Sequence, residues 1–214
     1  MFNTPKQSSC CTALRLGFLA VMVFAGGCAA ATPWQTPYNI NEVHPAALPG
    51  RKAVRQTVPV VLQLAPVSAS PWLDTDVYQY HLLYQNPQML LSYRDARWVG
   101  TPAEMLESRL LQQLQRSHVW KAVLSGQSSG AAQYVLQVQL TNFVVNFSAA
   151  QAGKALVAGT ATLVNAHDYQ VIAQQQFTDS VALSTASAAG GASAMAKASN
   201  DFVNAVTDWA AGVQ

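Results

Sequence analysis

Cysteine is nearly missing from this chain of 214 residues: Cys10, Cys11 and Cys28 are the three that occur. None follows Cys28, so the remainder can form no disulfide and no zinc site built of several cysteines. Charge is equally scarce, at 10% of residues, twelve basic and ten acidic. Lys6 and Arg15 stand ahead of Cys28, and without them the chain balances at ten of each sign. There is no basic patch to attract nucleic acid and no polybasic segment to attract anionic headgroups. A surface so poor in charge suits packing against partners. The four histidines, His44, His81, His118 and His167, lack metal-ligand spacing. Asp74 and Asp76 are two apart, a spacing that fits a loop cap as well as a cation site. No Gly-x-Ser-x-Gly occurs, so no nucleophile elbow is signalled. The Gly- and Ala-rich residues 188–197 lack the Gly-Lys-Ser/Thr ending of a phosphate-binding loop. The reading is therefore of a protein that is not an enzyme, with no cofactor and no metal implied.

A long hydrophobic run is also missing. The most apolar stretch, residues 16–25, is ten residues long. At ~1.5 Å rise it covers roughly 15 Å as a helix, about half of a ~30 Å hydrocarbon core. Lys6 and Arg15 precede it, Gly26, Gly27 and Cys28 follow it, and no acidic residue appears before Glu42. Basic, apolar, small, cysteine is the order of a lipoprotein signal, which is cut before the cysteine so that its thiol can carry a diacylglycerol. Ala25 stands where that pattern most often has Leu. The alternatives are an ordinary cleaved signal and a retained anchor. Lipidation of Cys28 also removes a lone thiol from an oxidising compartment, where it would be a liability. The expected organisation is a signal peptide over 1–27, the lipidated Cys28 with a flexible tether over 28–56, and one domain over 57–214. Pro33, Pro37, Pro45 and Pro49 break any period in the tether. Trp34 and Tyr38 leave open an arm packed on the domain.

The domain divides by local signals. Residues 58–65 are β-branched-rich and predict a strand, and 77–93 predicts a hairpin turning at Asn86-Pro87. Thr101-Pro102-Ala103-Glu104 combines an N-cap, a proline at the first helical position and a capping box. It predicts a helix over 102–116, with Leu106, Leu110 and Leu114 on the buried side. Residues 120–124 predict a short strand. Residues 133–182 predict an antiparallel meander: 134–147 alternates apolar with Gln and Thr, and further strands follow at 154–165 and 170–182. Gly190-Gly191 opens a last helix over 191–211, with Met195, Ala198, Phe202, Val206 and Trp209 at helical spacing. The expected fold is α+β, a mostly antiparallel sheet with two helices packed on one face.

Tyr93, Arg97 and Trp98 are the candidate partner-binding residues, since aromatics and Arg are enriched at binding hot spots. Trp98, just ahead of the capping box, equally suits a core position beneath the helix.

Several pieces in order resemble one family. They are Cys28, then Leu82 to Tyr84, then Tyr93-Arg-Asp-Ala-Arg-Trp98 leading into Pro102. Next come Tyr134-Val-Leu-Gln-Val-Gln-Leu-Thr-Asn-Phe143, Ala173-Gln-Gln-Gln-Phe177 and the Ala-rich helix ending at Trp209. Over roughly 57–212 the chain resembles the auxiliary lipoproteins of ABC-type transport systems, the class that accompanies Mce-domain lipid transporters such as the Pqi system. The resemblance implies a domain tethered to the outer membrane and facing the periplasm. It implies as partners an Mce-domain protein and an ABC permease/ATPase complex, with the membrane reached through the lipid anchor. Some members assemble into rings, so a homo-oligomer is a further expectation. The implied role is lipid trafficking without catalysis; a carrier that itself binds lipid is the alternative. Ala29 follows Cys28, and an Asp there would have argued for retention in the inner membrane.

Overall fold

A computed structural model describes residues 34–41 and 58–213. Cys28 and the predicted signal lie outside the described residues. Nine strands and two helices follow one another as β1 (Thr36–Tyr38), β2 (Val58–Leu64), β3 (Ser68–Ala69), β4 (Val77–Leu82), β5 (Leu90–Trp98), α1 (Pro102–Arg116), β6 (Trp120–Leu124), β7 (Tyr134–Ala149), β8 (Ala152–Asn165), β9 (Val171–Ala182) and α2 (Ala188–Gly212). No described helix is long and apolar enough to cross a membrane.

The sheet corrects the expectation of a mostly antiparallel one. It is mixed, and five of its eight strand pairings among the described residues are parallel. The antiparallel part is the meander β7–β8–β9 and the hairpin β4–β5. The parallel part arises along the other edge of β7. There Leu62 pairs with Tyr134, Ser68 with Gln139 and Tyr80 with Val145, so β2, β3 and β4 dock in succession and in the direction of β7. Residues 62–82 thus run beside β7 as one interrupted ribbon, with a 3-10 turn at Pro71–Leu73 taking up the extra length. β6 adds to the far side of β2, and β1 to the far side of β5, both parallel. Alternation along a strand fixes which side chains share a face, not the direction of the neighbour.

β7 shows how the core is aimed. Leu136, Val138 and Leu140 are buried while Gln137 and Gln139 are exposed. A register shift between Leu140 and Asn142 then changes the parity, so that Phe143, Val145 and Phe147 are buried as well. A one-residue bulge does this by turning the following side chains over.

Both helices pack against the sheet and against each other. α1 occupies the predicted residues and is held at its start as expected. Thr101 N–H donates to Glu104 Oε2 (2.9 Å) and Glu104 N–H donates to Thr101 Oγ1 (3.3 Å). Met105, Leu106, Leu110 and Leu114 are its buried stripe. α2 begins three residues before the predicted start, because Ser187 is its cap and accepts from Gly190 N–H at 3.1 Å. Gly190 and Gly191 are helical and buried. A Cβ on Gly191 would collide with the Tyr78 hydroxyl, and one on Gly190 with Thr185. Gly191 serves close approach of helix and sheet, while Gly190 lets the chain entering the helix fold back against its first turn. Phe202, Met195, Val206 and Ala198 fill the space between α2 and the sheet.

Within the stretch read as a tether, residues 36–38 form an edge strand and Ile40 is fully buried. This part is an arm packed on the domain.

Candidate partner-facing site

The candidate residues Tyr93, Arg97 and Trp98 all lie on β5, and the structure divides them. Alternation along the strand turns Ala96 and Trp98 inward and leaves Arg97 half-exposed between them. Trp98 is 1% exposed, so no partner can touch it. Its indole stacks on Tyr78 of β4 (centroids 4.1 Å) and meets Phe143 of β7 edge-on (5.3 Å). Tyr93 is half-buried and joins the same cluster, 4.7 Å from Tyr78 and 4.6 Å from Tyr80. Tyr80 in turn meets Phe147 (5.9 Å), and Tyr38 of β1 meets Tyr78 (6.1 Å). Such tilted and edge-to-face pairs are the preferred geometries of aromatic rings, each contributing about 0.5–1.5 kcal/mol beyond area burial.

The hydroxyls of this cluster differ. Tyr78 Oη donates to the Ala188 carbonyl at the start of α2 (3.3 Å). Tyr93 Oη is buried and makes no hydrogen bond. Burial pushes the Tyr93 phenol up to about 12, with Tyr80 and Tyr38 adding to the effect. Burial likewise raises Tyr78 far above the ordinary phenol range, with Tyr93 and Tyr38 contributing. Both stay neutral at physiological pH and act as apolar bodies.

Arg97 Nη1 donates to Asp76 Oδ2 at 3.0 Å across β4 and β5, with both side chains nearly half exposed. Asp76 therefore has a role, as the partner of Arg97. An exposed pair of this kind contributes about 0–1 kcal/mol. Arg94 and Asp95 form a second pair on the same strand, fully exposed, at 2.9 Å. The partner-accessible features of the candidate site are thus the Arg97–Asp76 pair and the edge of Tyr93, set on a buried aromatic base. Tyr38 completes that base from a stretch in which no strand was predicted; its aromatic character was the one available signal.

On the solvent side of the meander lies a shallow depression of about 360 Å³, lined by Ser68, Gln137, Val138, Gln139, Thr160, Thr162 and Gln174. Gln174 Nε2 donates to Thr162 Oγ1 at 2.9 Å. Amides and hydroxyls line it and no ionisable group does. Among the described residues no three His, Cys, Asp or Glu gather as a metal site would need.

The fold and this surface define a class: an α+β domain whose long central strand collects short parallel strands on one edge and a meander on the other. Residues 38–207 match the family described as ABC-type transport auxiliary lipoprotein component, and the chain belongs to that family. Solved structures share the fold. A protein from Xanthomonas campestris is 20% identical with a TM-score of 0.68, the match covering 85% of this chain and 93% of that one. A hypothetical protein from Chlamydia trachomatis is 9% identical with a TM-score of 0.52, covering 73% and 98% respectively. No curated protein matches the sequence.

Proposed function

We propose that this protein is a non-enzymatic lipoprotein subunit of an ABC-type transport system, anchored in the outer membrane through Cys28 and facing the periplasm. The transport system is of the kind with an Mce-domain protein and a permease/ATPase complex, and its cargo is lipid or another hydrophobic compound. The family match over 38–207, directly downstream of an apolar run ending in Gly26-Gly27-Cys28, carries this reading. The domain acts by docking. The anchor fixes it to the membrane, and the half-exposed Tyr93 edge with the Arg97–Asp76 pair receives the periplasmic assembly, while Trp98 holds both from beneath. Membership of the class makes assembly of several copies part of the same reading. Independent carriage of lipid is the weaker reading, because large side chains of α2 occupy the space between helix and sheet.

Affinity purification of the lipidated protein from solubilised membranes tests the proposal. Co-recovery of an Mce-domain protein with its permease and ATPase, reduced by Arg97→Glu in a protein that still folds, is the expected result. Recovery of the folded protein without any of these partners would overturn it.

A further inference from the structure

Charge is distributed unevenly in this domain. No Asp, Glu, Lys or Arg occurs between Asp76 and Arg94, between Lys121 and Lys154, or between Asp179 and Lys197. The topology brings part of each interval to one end of the sheet. Leu82 pairs with Phe147, so the β4–β5 turn and the β7–β8 turn lie side by side. Lys154 pairs with Ala182, so the β9–α2 connection joins them. Leu83, Tyr84 and Met89, 40–45% exposed, project from the first turn. Ala149, Ala150 and Ala152 are exposed at the second. Among the described residues the charged side chain nearest this end is Lys154, an exposed cation two pairs back from the tip.

The chain enters the domain from this same end. β1 runs parallel to β5, which starts at the tip with Leu90 and runs away from it. Thr36 at the start of β1 pairs with Ala96, six residues or ~20 Å of strand from Leu90, and Gln35 Nε2 just before it donates to the Arg94 carbonyl (3.0 Å). Trp34, 88% exposed, precedes it. Cys28 and Trp34 are six positions apart. Fully extended this stretch spans at most ~20 Å, so a lipid on Cys28 is held within reach of the uncharged end.

From this juxtaposition we infer that the end formed by the β4–β5, β7–β8 and β9–α2 connections is seated in the interfacial layer of the bilayer that holds the anchor. Its occupant is a phospholipid surface. Leu83, Tyr84 and Met89 enter the headgroup–acyl boundary, and Lys154 meets lipid phosphate. Among the described residues this end holds no acidic group, so the contact is made without desolvating a carboxylate. The two acyl chains of a diacylglycerol on Cys28 already give stable residence, and the weak apolar contact of this end fixes the domain's orientation. The inference rests on the lipid-anchor reading above.

The test uses the full lipidated protein in vesicles of phosphatidylethanolamine and phosphatidylglycerol, with and without acyl-chain bromination. Tyr84→Trp adds an emitter at the tip; Tyr169→Trp adds one in the β8–β9 turn at the opposite end, where Tyr169 is also exposed. Brominated lipid should quench the added Tyr84→Trp emission roughly two-fold or more and leave the added Tyr169→Trp emission unchanged. Equal, water-like emission from both, in protein whose Cys28 carries diacylglycerol by mass spectrometry, overturns the seated end and leaves the anchor standing. So does emission from Tyr84→Trp that shifts on adding the transporter but not with brominated lipid, which marks a protein contact. An unmodified Cys28 overturns the anchor reading and the seated end with it.

Discussion

Tyr78 and Trp98 lie on adjacent strands with ring centroids 4.1 Å apart, and the Tyr78 hydroxyl reaches on to the first carbonyl of α2. This one contact links the β4–β5 hairpin to the C-terminal helix. Trp98→Ala should therefore cost about 3–5 kcal/mol of stability, read as a lowered urea midpoint. Arg97→Ala, one residue earlier, should cost about 1 kcal/mol or less, since its pair with Asp76 is half exposed. A large loss at Arg97 with a small one at Trp98 would contradict the division made on β5.

Tyr93 predicts an alkaline signature. Its folded phenol titrates near 12 while an unfolded one titrates near 10, so folded chains hold a proton that unfolded chains release. Stability from this difference is complete below pH ~10 and declines as pH rises towards 12. Tyr93→Phe should flatten the fall in Tm across that window. Because Tyr93 Oη has no hydrogen-bond partner, the substitution should cost little at pH 7. A Tm loss of many degrees at neutral pH would show a partner that this structure does not place.

Thr101→Ala removes the oxygen that accepts from Glu104 N–H and leaves the Glu104 side chain bonding Thr101 N–H alone. The expected cost is about 1 kcal/mol, measured by equilibrium unfolding. Thr101→Ser should restore most of it.

Gly159→Ala tests how tightly β7 and β8 approach near the bulge. A Cβ there would lie 2.6 Å from the Gln139 carbonyl oxygen and 3.3 Å from the Phe202 ring. The first contact is backbone and cannot rotate away, so the variant should lose about 1–3 kcal/mol. At Gly212, where nothing lies within 4 Å, the same change should leave unfolding within about 0.5 kcal/mol of the wild type.

What the sequence disclosed was local. The Thr101–Glu104 cap is written in four consecutive residues, and α1 spans the predicted range. The meander is joined by short turns, so its three strands were legible from alternation and turn residues. The parallel pairings were hidden because Leu62 and Tyr134, or Tyr80 and Val145, are brought together by the whole fold. A single residue such as Leu62 or Tyr80 carries no mark of which distant strand lies beside it. The site was legible in part for the same reason. The aromatic and Arg content of 93–98 pointed to β5, but which side of the strand each residue takes, and that Asp76 would meet Arg97, followed from pairing. The opening read at Gly190-Gly191 falls three residues late, and the role of Gly191 was hidden because a glycine that ends a turn and one that admits a neighbour look alike in sequence.

The docking of β2, β3 and β4 on β7 also sets an order of events. Every residue from 62 to 82 is synthesised before the strand that receives it, residues 134–147. Until β7 arrives these segments are unpaired edges rich in Val, Leu and Tyr, open to pairing with the wrong chain. Contacts so distant in sequence also form slowly. A nascent copy is most vulnerable in that interval, so a holding chaperone should raise the yield of this protein more than its final stability would suggest.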